Sequence, residues 1–260
     1  MNTTRTLLFT SMLATGVVQS AAAAETTAPA SKPSATTVVL VHGAFADGSS
    51  WSKLIPLLQA KGLKVVAVQN PLTSLADDVT FANRAIDAQT GPVVLVGHSW
   101  GGTVITQAGG NDKVKALVYV AAFAPSAGEN SLDTVKGYPA SPGLASPIAT
   151  SDGFLTLSPE TVAKDFAQDV TAEEANLIAT TQGAVRGANF EEKVTVAAWT
   201  SKPSWYIVAD EDRMIQPDAQ RALAKKIKAT TTSLPTSHVP MVSKPKDVAD
   251  VIAAAAKSID

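Results

Sequence analysis

The sequence has no cysteine and only three histidines among its 260 residues. The absence of cysteine excludes disulfide bonds, thiolate nucleophiles and cysteine-ligated zinc. A chain of this length can be stabilised by its hydrophobic core alone, because larger domains bury a larger share of their surface on folding. A strong charge of one sign is also missing, since the formal net charge is −2. With no basic run in the chain, we expect no nucleic-acid partner.

The N-terminal stretch differs in composition from the rest of the chain. Arg5 precedes a mostly apolar run over 7–18, and four alanines then offer the small residues after which signal peptidase cleaves. The run is shorter than the roughly 20 residues that a membrane-spanning helix needs. We therefore expect a cleaved signal peptide over 1–24 and a flexible leader over 25–36. This predicts a protein of the bacterial periplasm or medium, without a stable membrane anchor after cleavage.

Short apolar runs recur along the remaining chain and do not alternate polar with apolar residues. Five are clear and a sixth is weaker: 38–41, 65–68, 93–96, 117–120, 205–208 and, weaker, 230–234. Strands that are apolar on both faces belong to a parallel sheet covered by helices on each side. Helical patterns follow Ser74, Pro217 and Pro245, which are suitable starting residues. We predict one α/β domain over 37–260, a three-layer sandwich with a mostly parallel sheet of about six strands.

A long segment over about 125–192 lacks a strong strand run. It begins with prolines among small residues and becomes helical near 159–182. It carries apolar side chains that need a surface to bury against: Phe154, Leu155, Leu157, Phe166, Leu177 and Ile178. Open α/β sheets bind their ligands at the carboxyl edge of the strands. We predict that this segment, called the insertion below, is a helical lid over that edge.

A serine lies between two glycines directly after the 93–96 run, in the order Gly97, His98, Ser99, Trp100, Gly101. This strand–serine–helix order is typical of a nucleophile elbow. The residues two before and two after such a serine are pressed together, so both must be glycine. The strained turn projects the hydroxyl out of the sheet. A phosphate-binding turn is the alternative, but it lacks the Walker lysine and a Gly-x-Gly-x-x-Gly pattern. Ser99 is the predicted nucleophile.

A serine hydroxyl needs a base to take its proton, and the three histidines are the candidates. His98 lies inside the elbow, and we expect it to pack beneath the turn. His42 ends the first strand, where hydrogen bonds from its ring are expected to fix the loop. His238 follows the last strand, so its loop opens on the same edge as the elbow. The chain order Ser–acid–His of this fold agrees, and we predict His238 as the base.

The acid that orients the histidine is expected after the 205–208 strand, where Asp210, Glu211 and Asp212 occur together. If the alternation of the strand continues, the Glu211 side chain should point to the side opposite to those of Asp210 and Asp212. Asp210 is still close to the strand, whereas Asp212 lies further into the turn and can reach the histidine loop. We predict Asp212 as the acid, with Asp210 as the second choice.

The oxyanion of the intermediate needs preorganised N–H donors. One predicted donor is the backbone of Trp100, which follows the nucleophile at a helix N-terminus. The other is expected in the loop after the first strand, where Gly43 lets the chain turn back. Ala44 is the first choice for that donor and Phe45 the second.

Together these motifs resemble the α/β-hydrolase superfamily, in particular the small branch of plant methylesterases, hydroxynitrile lyases and many bacterial esterases. The resemblance covers nearly all of the chain after the expected signal and is carried by 39–44, Trp51, 97–102, 207–213 and 237–238. It implies a Ser–His–Asp triad without a cofactor, with the acid at Asp212 and the oxyanion donors at Ala44 and Trp100. Two features depart from the pattern. Asp210 is unexpectedly acidic, and neither Lys202 nor Lys244 matches the lysine of the lyase branch.

The leading hypothesis is hydrolysis of small, largely apolar esters through an acyl-enzyme on Ser99. The apolar side chains expected near the mouth are Phe154, Leu155, Leu157, Phe166, Trp100 and Met241. The first alternative is cleavage of a cyanohydrin on the same triad without a covalent intermediate. A second alternative is a secreted binding protein on a hydrolase scaffold. Such proteins typically lose a member of the triad, whereas all three candidates are present here.

Overall fold

The computed structural model describes residues 36–259, in which the predicted runs form one six-stranded sheet. The strand order is β2-β1-β3-β4-β8-β9, and every neighbouring pair is parallel. Its strands are β1 Thr37–Val41, β2 Lys64–Val68, β3 Val93–His98, β4 Val114–Val120, β8 Ser204–Ala209 and β9 Thr230–Leu234. The predicted α/β class and the count of about six strands are confirmed.

Helices flank this sheet and follow its strands. The α-helices are α1 Ile55–Ala60, α2 Leu75–Asp87, α3 Trp100–Ala108, α4 Pro159–Thr161, α5 Ala172–Thr181, α6 Pro217–Lys226, α7 Pro240–Ser243 and α8 Pro245–Lys257. Short 3₁₀ turns occur at Gly48–Trp51, Asp133–Val135, Pro142–Leu144, Gly187–Glu191 and Ala198–Thr200. As predicted, α6 and α8 begin with proline, and the Ser74 hydroxyl accepts a hydrogen bond from the Asp77 N–H at the start of α2.

The burial of each strand follows its place in the sheet. β1 and β3, in the middle, are buried along their whole length because helices cover both faces. β2 and β9 are the two edges and are partly exposed. The edge position explains why β9, a run of threonine and serine ending in Leu234, has the weakest strand signal in the sequence.

The insertion lies between β4 and β8 and contains a second, antiparallel sheet. Its three short strands are β5 Ile148–Ala149, β6 Phe154–Thr156 and β7 Val185–Arg186, and a π-helical turn at Val162–Phe166 follows α4. Strands of two or three residues carry too little periodicity to be predicted from sequence.

The apolar side chains of the insertion are buried only in part as expected. Leu157 and Phe166 are buried, but Leu177 is 57% exposed. That expectation was wrong because α5 turns Ala175 and Ile178, not Leu177, toward the interior.

The predicted signal peptide and the leader up to residue 35 lie outside the described residues. Within 36–259, none of the helices combines the length and hydropathy that a membrane span requires.

Candidate active site

Ser99 occupies a strained turn between β3 and α3. Its backbone lies at φ 52° and ψ −119°, in the region that side chains rarely adopt. A Cβ atom added to Gly97 would lie 2.4 Å from the Gly101 carbonyl oxygen, and one on Gly101 would lie 2.4 Å from the Val41 carbonyl oxygen. Both positions therefore require glycine. At Gly97 the reason is the one inferred from the sequence, the contact with Gly101, whereas at Gly101 it is the close approach of the β1 backbone. The strain is retained because packing on both sides of the turn leaves it no room to relax.

His238 and Asp212 form a buried pair at the same edge of the sheet. The Nδ1 atom of His238 lies 2.7 Å from Oδ2 of Asp212, and their side chains are 1% and 0% exposed. The other carboxylate oxygen accepts hydrogen bonds from the Met214 and Ile215 N–H groups at 2.7 and 3.0 Å. Gln220 donates its Nε2–H to Oδ2 at 2.7 Å. An ionised carboxylate accepts from all of these groups, so Nδ1 of His238 donates and Nε2 is left as a base.

Asp210, the second choice for the acid, faces elsewhere. Its Oδ1 atom accepts a hydrogen bond from Nη2 of Arg221 at 2.6 Å, at the surface. Glu211 contributes its backbone N–H to the Thr236 carbonyl oxygen at 3.0 Å. Of the three acidic residues, the structure thus brings Asp212 to His238.

The other two histidines support the loops of the site. His98 is fully buried, and its Nε2–H donates to the His238 carbonyl oxygen at 2.7 Å. Burial lowers the pKa of His98 well below its usual value, which keeps this ring neutral. His42 donates from Nδ1 to the Gly43 carbonyl oxygen at 2.8 Å, and its Nε2 accepts from the Asn70 N–H at 2.9 Å. The hydrogen bond between His98 and the His238 backbone has no sequence signal, because 140 residues separate the two.

The loop after β1 packs directly on Ser99. A Cβ atom on Gly43 would lie 2.7 Å from the Ser99 Cβ atom, so only glycine permits this contact. Ala44 and Phe45 follow in that loop, and Phe45 has a φ of 57°. Trp100 opens α3 on the other side of Ser99. The structure therefore brings the segments of the predicted oxyanion donors to the serine.

The insertion is hydrogen-bonded to the loop that carries Asp212 and to the loop that carries His238. Three polar contacts join its residues 165–169 to these loops: Asp165 Oδ1 with Arg213 Nε at 2.5 Å, Gln168 Nε2 with the Glu211 carbonyl oxygen at 2.7 Å, and Asp169 Oδ2 with the Ser237 N–H at 2.9 Å. The Phe166 ring lies edge-on to the His238 ring, with centroids 5.1 Å apart. This part of the insertion packs against the His238 loop, and its Phe166 ring also lies edge-on to the His98 ring, with centroids 6.4 Å apart.

An apolar cavity of about 180 Å³ lies between the insertion and the sheet. It is lined by Phe45, Phe123, Leu132, Val135, Ser141, Leu144, Pro147, Leu155, Phe190 and Met214. Its wall is continuous with the site, because the Phe123 N–H donates to the Ser99 carbonyl oxygen and the Met214 N–H donates to Asp212. Leu132 and Leu144 are 46% and 38% exposed and form an apolar rim.

The side chains expected near the mouth are mostly placed elsewhere. Leu155 lines the cavity, but Phe154, Leu157, Phe166, Trp100 and Met241 do not. Leu157 and Phe166 pack in the core, and Met241 is fully buried in α7. The Trp100 indole turns away from the cavity and donates to a carboxylate that the sequence pattern did not single out, that of Asp78 on the buried face of α2.

The alpha/beta hydrolase family model matches residues 38–251. The chain belongs to the alpha/beta hydrolase family. This confirms the resemblance seen in the motifs, and it places the chain among hydrolytic enzymes.

Relatives of the chain come from bacteria, fungi and plants, the bacterial one being a pyrethroid hydrolase of Sphingobium wenxiniae, 28% identical over 246 residues with 84% of this chain and 86% of the relative covered. The chain is similar to a probable hydrolase R7 of Phoma sp., 29% identical over 238 residues that cover 83% of this chain and 96% of the relative. It is also similar to Methylesterase 2 of Arabidopsis thaliana, 26% identical over 260 residues with 84% and 95% covered. An alpha-hydroxynitrile lyase of the same plant is 26% identical over 247 residues, with 84% and 96% covered. A solved pyrethroid hydrolase shares the fold with a TM-score of 0.77 at 24% identity, covering 86% of this chain and 98% of that one.

Proposed function

We propose that this alpha/beta hydrolase is a secreted serine carboxylesterase that hydrolyses small, largely apolar esters through an acyl-enzyme on Ser99. One observation carries the proposal: the buried 2.7 Å pair of His238 and Asp212 at the sheet edge from which the strained Ser99 turn projects. This combination supplies a nucleophile, a base and a carboxylate that orients the base.

The reaction follows from the roles of these atoms. The Ser99 oxygen attacks the ester carbonyl carbon while Nε2 of His238 takes the hydroxyl proton. The N–H groups of Ala44 and Trp100 hold the oxyanion of the tetrahedral intermediate. The alcohol then leaves with the proton from His238, and the acyl group stays on Ser99. Water attacks the acyl carbon with His238 again as base, which releases the acid and restores the serine.

The substrate class is argued from the cavity. Within the described residues, its wall includes Ser141 as the one polar side chain and no charged one. A charged group buried there would lose its hydration without a partner, so apolar groups are favoured. A dry apolar cavity of about 150 Å³ holds a benzene ring, so this volume fits a phenyl ring or a medium alkyl chain. The relatives named as a methylesterase and a pyrethroid hydrolase support an ester substrate.

An acyl-chain series of p-nitrophenyl esters, from acetyl to dodecanoyl, tests the proposal. We expect kcat/KM to rise with chain length up to a medium chain, since each buried methylene contributes about 0.8 kcal/mol, and to fall once the cavity is full. Ser99→Ala is the control and is expected to lose the activity by a factor on the order of 10⁴ or more. Full activity in Ser99→Ala, or hydrolysis limited to charged esters, would contradict the proposal.

Cyanohydrin cleavage on the same triad is the second candidate, and the alpha-hydroxynitrile lyase relative favours it. The two activities are separated by measuring turnover of mandelonitrile beside that of p-nitrophenyl acetate. We expect faster turnover of the ester. Faster cleavage of mandelonitrile would support the lyase, and absence of Ser99-dependent turnover of both substrates would support a protein that only binds.

Export is the remaining part of the proposal. It rests on the composition of residues 1–24, with Arg5 before an apolar run and small residues before Glu25. N-terminal sequencing of the protein recovered from periplasm and medium is expected to begin within two residues of Glu25. An intact Met1 in the active protein would contradict it.

A further inference from the structure

Asp78 is a carboxylate on the apolar face of a helix. In α2 it shares the buried face with Leu75, Ala82 and Ile86, and it is 0% exposed. Among residues 36–259, no cationic side chain forms an ion pair with it, and the charged groups that act on it, Asp77 and Glu192, are also acidic. Burying a carboxylate without a counter-ion costs free energy of folding, and the hydrogen bonds that Asp78 accepts are what compensates for it.

The two carboxylate oxygens of Asp78 accept hydrogen bonds from two different segments. Oδ2 accepts from the Trp100 indole Nε1–H at 2.7 Å, and Oδ1 accepts from the Leu72 N–H at 2.8 Å. Trp100 is the first residue of α3, directly after the nucleophile, and its side chain is completely buried. Hydrogen bonds to a charged acceptor are stronger than those between neutral groups. Asp78 therefore fixes the first residue of the nucleophile helix through its side chain.

The same carboxylate is also connected to the cavity wall, through Leu72 and Asn189. Leu72, at a φ of 59°, accepts with its carbonyl oxygen from the Asn189 side chain at 2.9 Å. The next residue, Phe190, lines the cavity and packs edge-on against the Trp100 indole, with ring centroids 5.5 Å apart. The Asp78 carboxylate thus connects the start of α3 with the cavity wall at Phe190.

We propose that the Asp78 carboxylate is a positioning residue for ester hydrolysis, acting through the Trp100 indole to hold the Trp100 N–H where the oxyanion forms. The inference rests on the proposed esterase function. A displaced oxyanion donor weakens a contact made in the transition state, so the loss falls on kcat and leaves KM nearly unchanged. A small displacement of the Trp100 N–H is sufficient for this effect, because a misplacement of about 1 Å can already lower the rate about a hundredfold.

A double-mutant cycle with Asp78→Asn, Trp100→Phe and the double variant tests this. Each single change is expected to lower kcat about tenfold with KM within about threefold. Because both changes cut the same connection, the double variant is also expected to lose about tenfold instead of about a hundredfold. Rates are divided by the fraction of sites labelled by a fluorophosphonate, so that unfolded protein does not count. Asp77→Asn, on the exposed side of the same helical turn, is the matched control and keeps the wild-type kcat.

Asp78→Leu separates positioning from stability. The larger apolar side chain leaves the Trp100 Nε1–H and the Leu72 N–H without an acceptor, so this variant is expected to lower Tm. Its kcat per fluorophosphonate-labelled site is still expected to fall about tenfold, because only folded sites are counted. A double variant that loses about a hundredfold, or a wild-type kcat in Asp78→Asn, would overturn the inference while leaving the esterase function intact. Absence of Ser99-dependent hydrolysis in the wild type would instead overturn the proposed function itself.

Discussion

The Asp212 carboxylate accepts a hydrogen bond from His238 at 2.7 Å, and both side chains are almost completely buried. Three further donors, from Met214, Ile215 and Gln220, hold the carboxylate in place. Asp210, two residues earlier, is instead bound to Arg221 at the surface. The contrast between these aspartates gives a direct prediction.

Asp212→Asn is expected to lower kcat/KM by about 10⁴, because an amide that donates to Nδ1 imposes the wrong tautomer on His238. Asp210→Asn is the matched control and is expected to change kcat/KM less than about twofold, since exposed ion pairs contribute little. Steady-state kinetics on one p-nitrophenyl ester checks both. A larger loss at Asp210 would show that the acid has been misassigned.

Asp169 in the insertion is expected to matter for turnover although it lies outside the triad. Asp169→Ala removes the acceptor of the Ser237 N–H, next to His238, and leaves that buried donor unpaired at a cost of about 1–3 kcal/mol. We expect kcat to fall about tenfold as the histidine loop relaxes. Asp152→Ala, at an exposed loop tip bonded to Thr150, serves as the control. Equal kcat values for the two variants would mean that the insertion does not support the base.

The sequence predicted more of the sheet than of the contacts around the site. Fully buried strands such as β1 and β3 are continuous apolar runs, and the glycines of the elbow are required locally by sterics. The polar contacts of Asp165, Gln168, Asp169 and Asp78 were missed because their partners lie far along the chain, so no local pattern records the contact. Trp100 was expected near the mouth because an apolar side chain beside a nucleophile resembles a pocket wall. Its indole N–H needed a buried acceptor, which turned it toward α2.

Asp78 is expected to make stability depend on pH. Burial raises its pKa from the usual 3.8 to about 6, so the folded state binds a proton that the unfolded state still releases. The free energy of unfolding therefore increases as the pH falls from about 6 to about 4 and decreases as the pH rises again. The full change is about 3 kcal/mol. In Asp78→Asn this gain is absent.

Urea unfolding at about pH 7 and about pH 4.5 checks the effect as a difference between wild type and Asp78→Asn. Burial also lowers the pKa of His42 and His98, which makes the fold less stable as the pH falls below about 6.5. Both proteins contain these histidines, so their contribution cancels in the difference. A difference that does not change with pH would contradict a raised pKa at Asp78.

Gly97→Ala is expected to destabilise the fold by about 3 kcal/mol or more. The new methyl group would lie 2.4 Å from a backbone oxygen of Gly101, which cannot move without disturbing the start of α3. Gly110→Ala places its methyl group 3.3 Å from the nearest atom, the end of the Val196 side chain. That control is expected to change stability by less than about 1 kcal/mol. Similar urea midpoints for both variants would show that the elbow is not sterically constrained.

The acyl-enzyme on Ser99 is the central claim, and trapping it is the most direct test. The protein is mixed with p-nitrophenyl butyrate, quenched in acid within the first turnovers and digested for mass spectrometry. A burst of one p-nitrophenolate per site, with one butyryl group on the peptide that contains Ser99, is the predicted result. The His238→Ala variant is expected to lose the burst. Ester turnover without any acyl group on Ser99, or with the same rate in Ser99→Ala, would contradict the account.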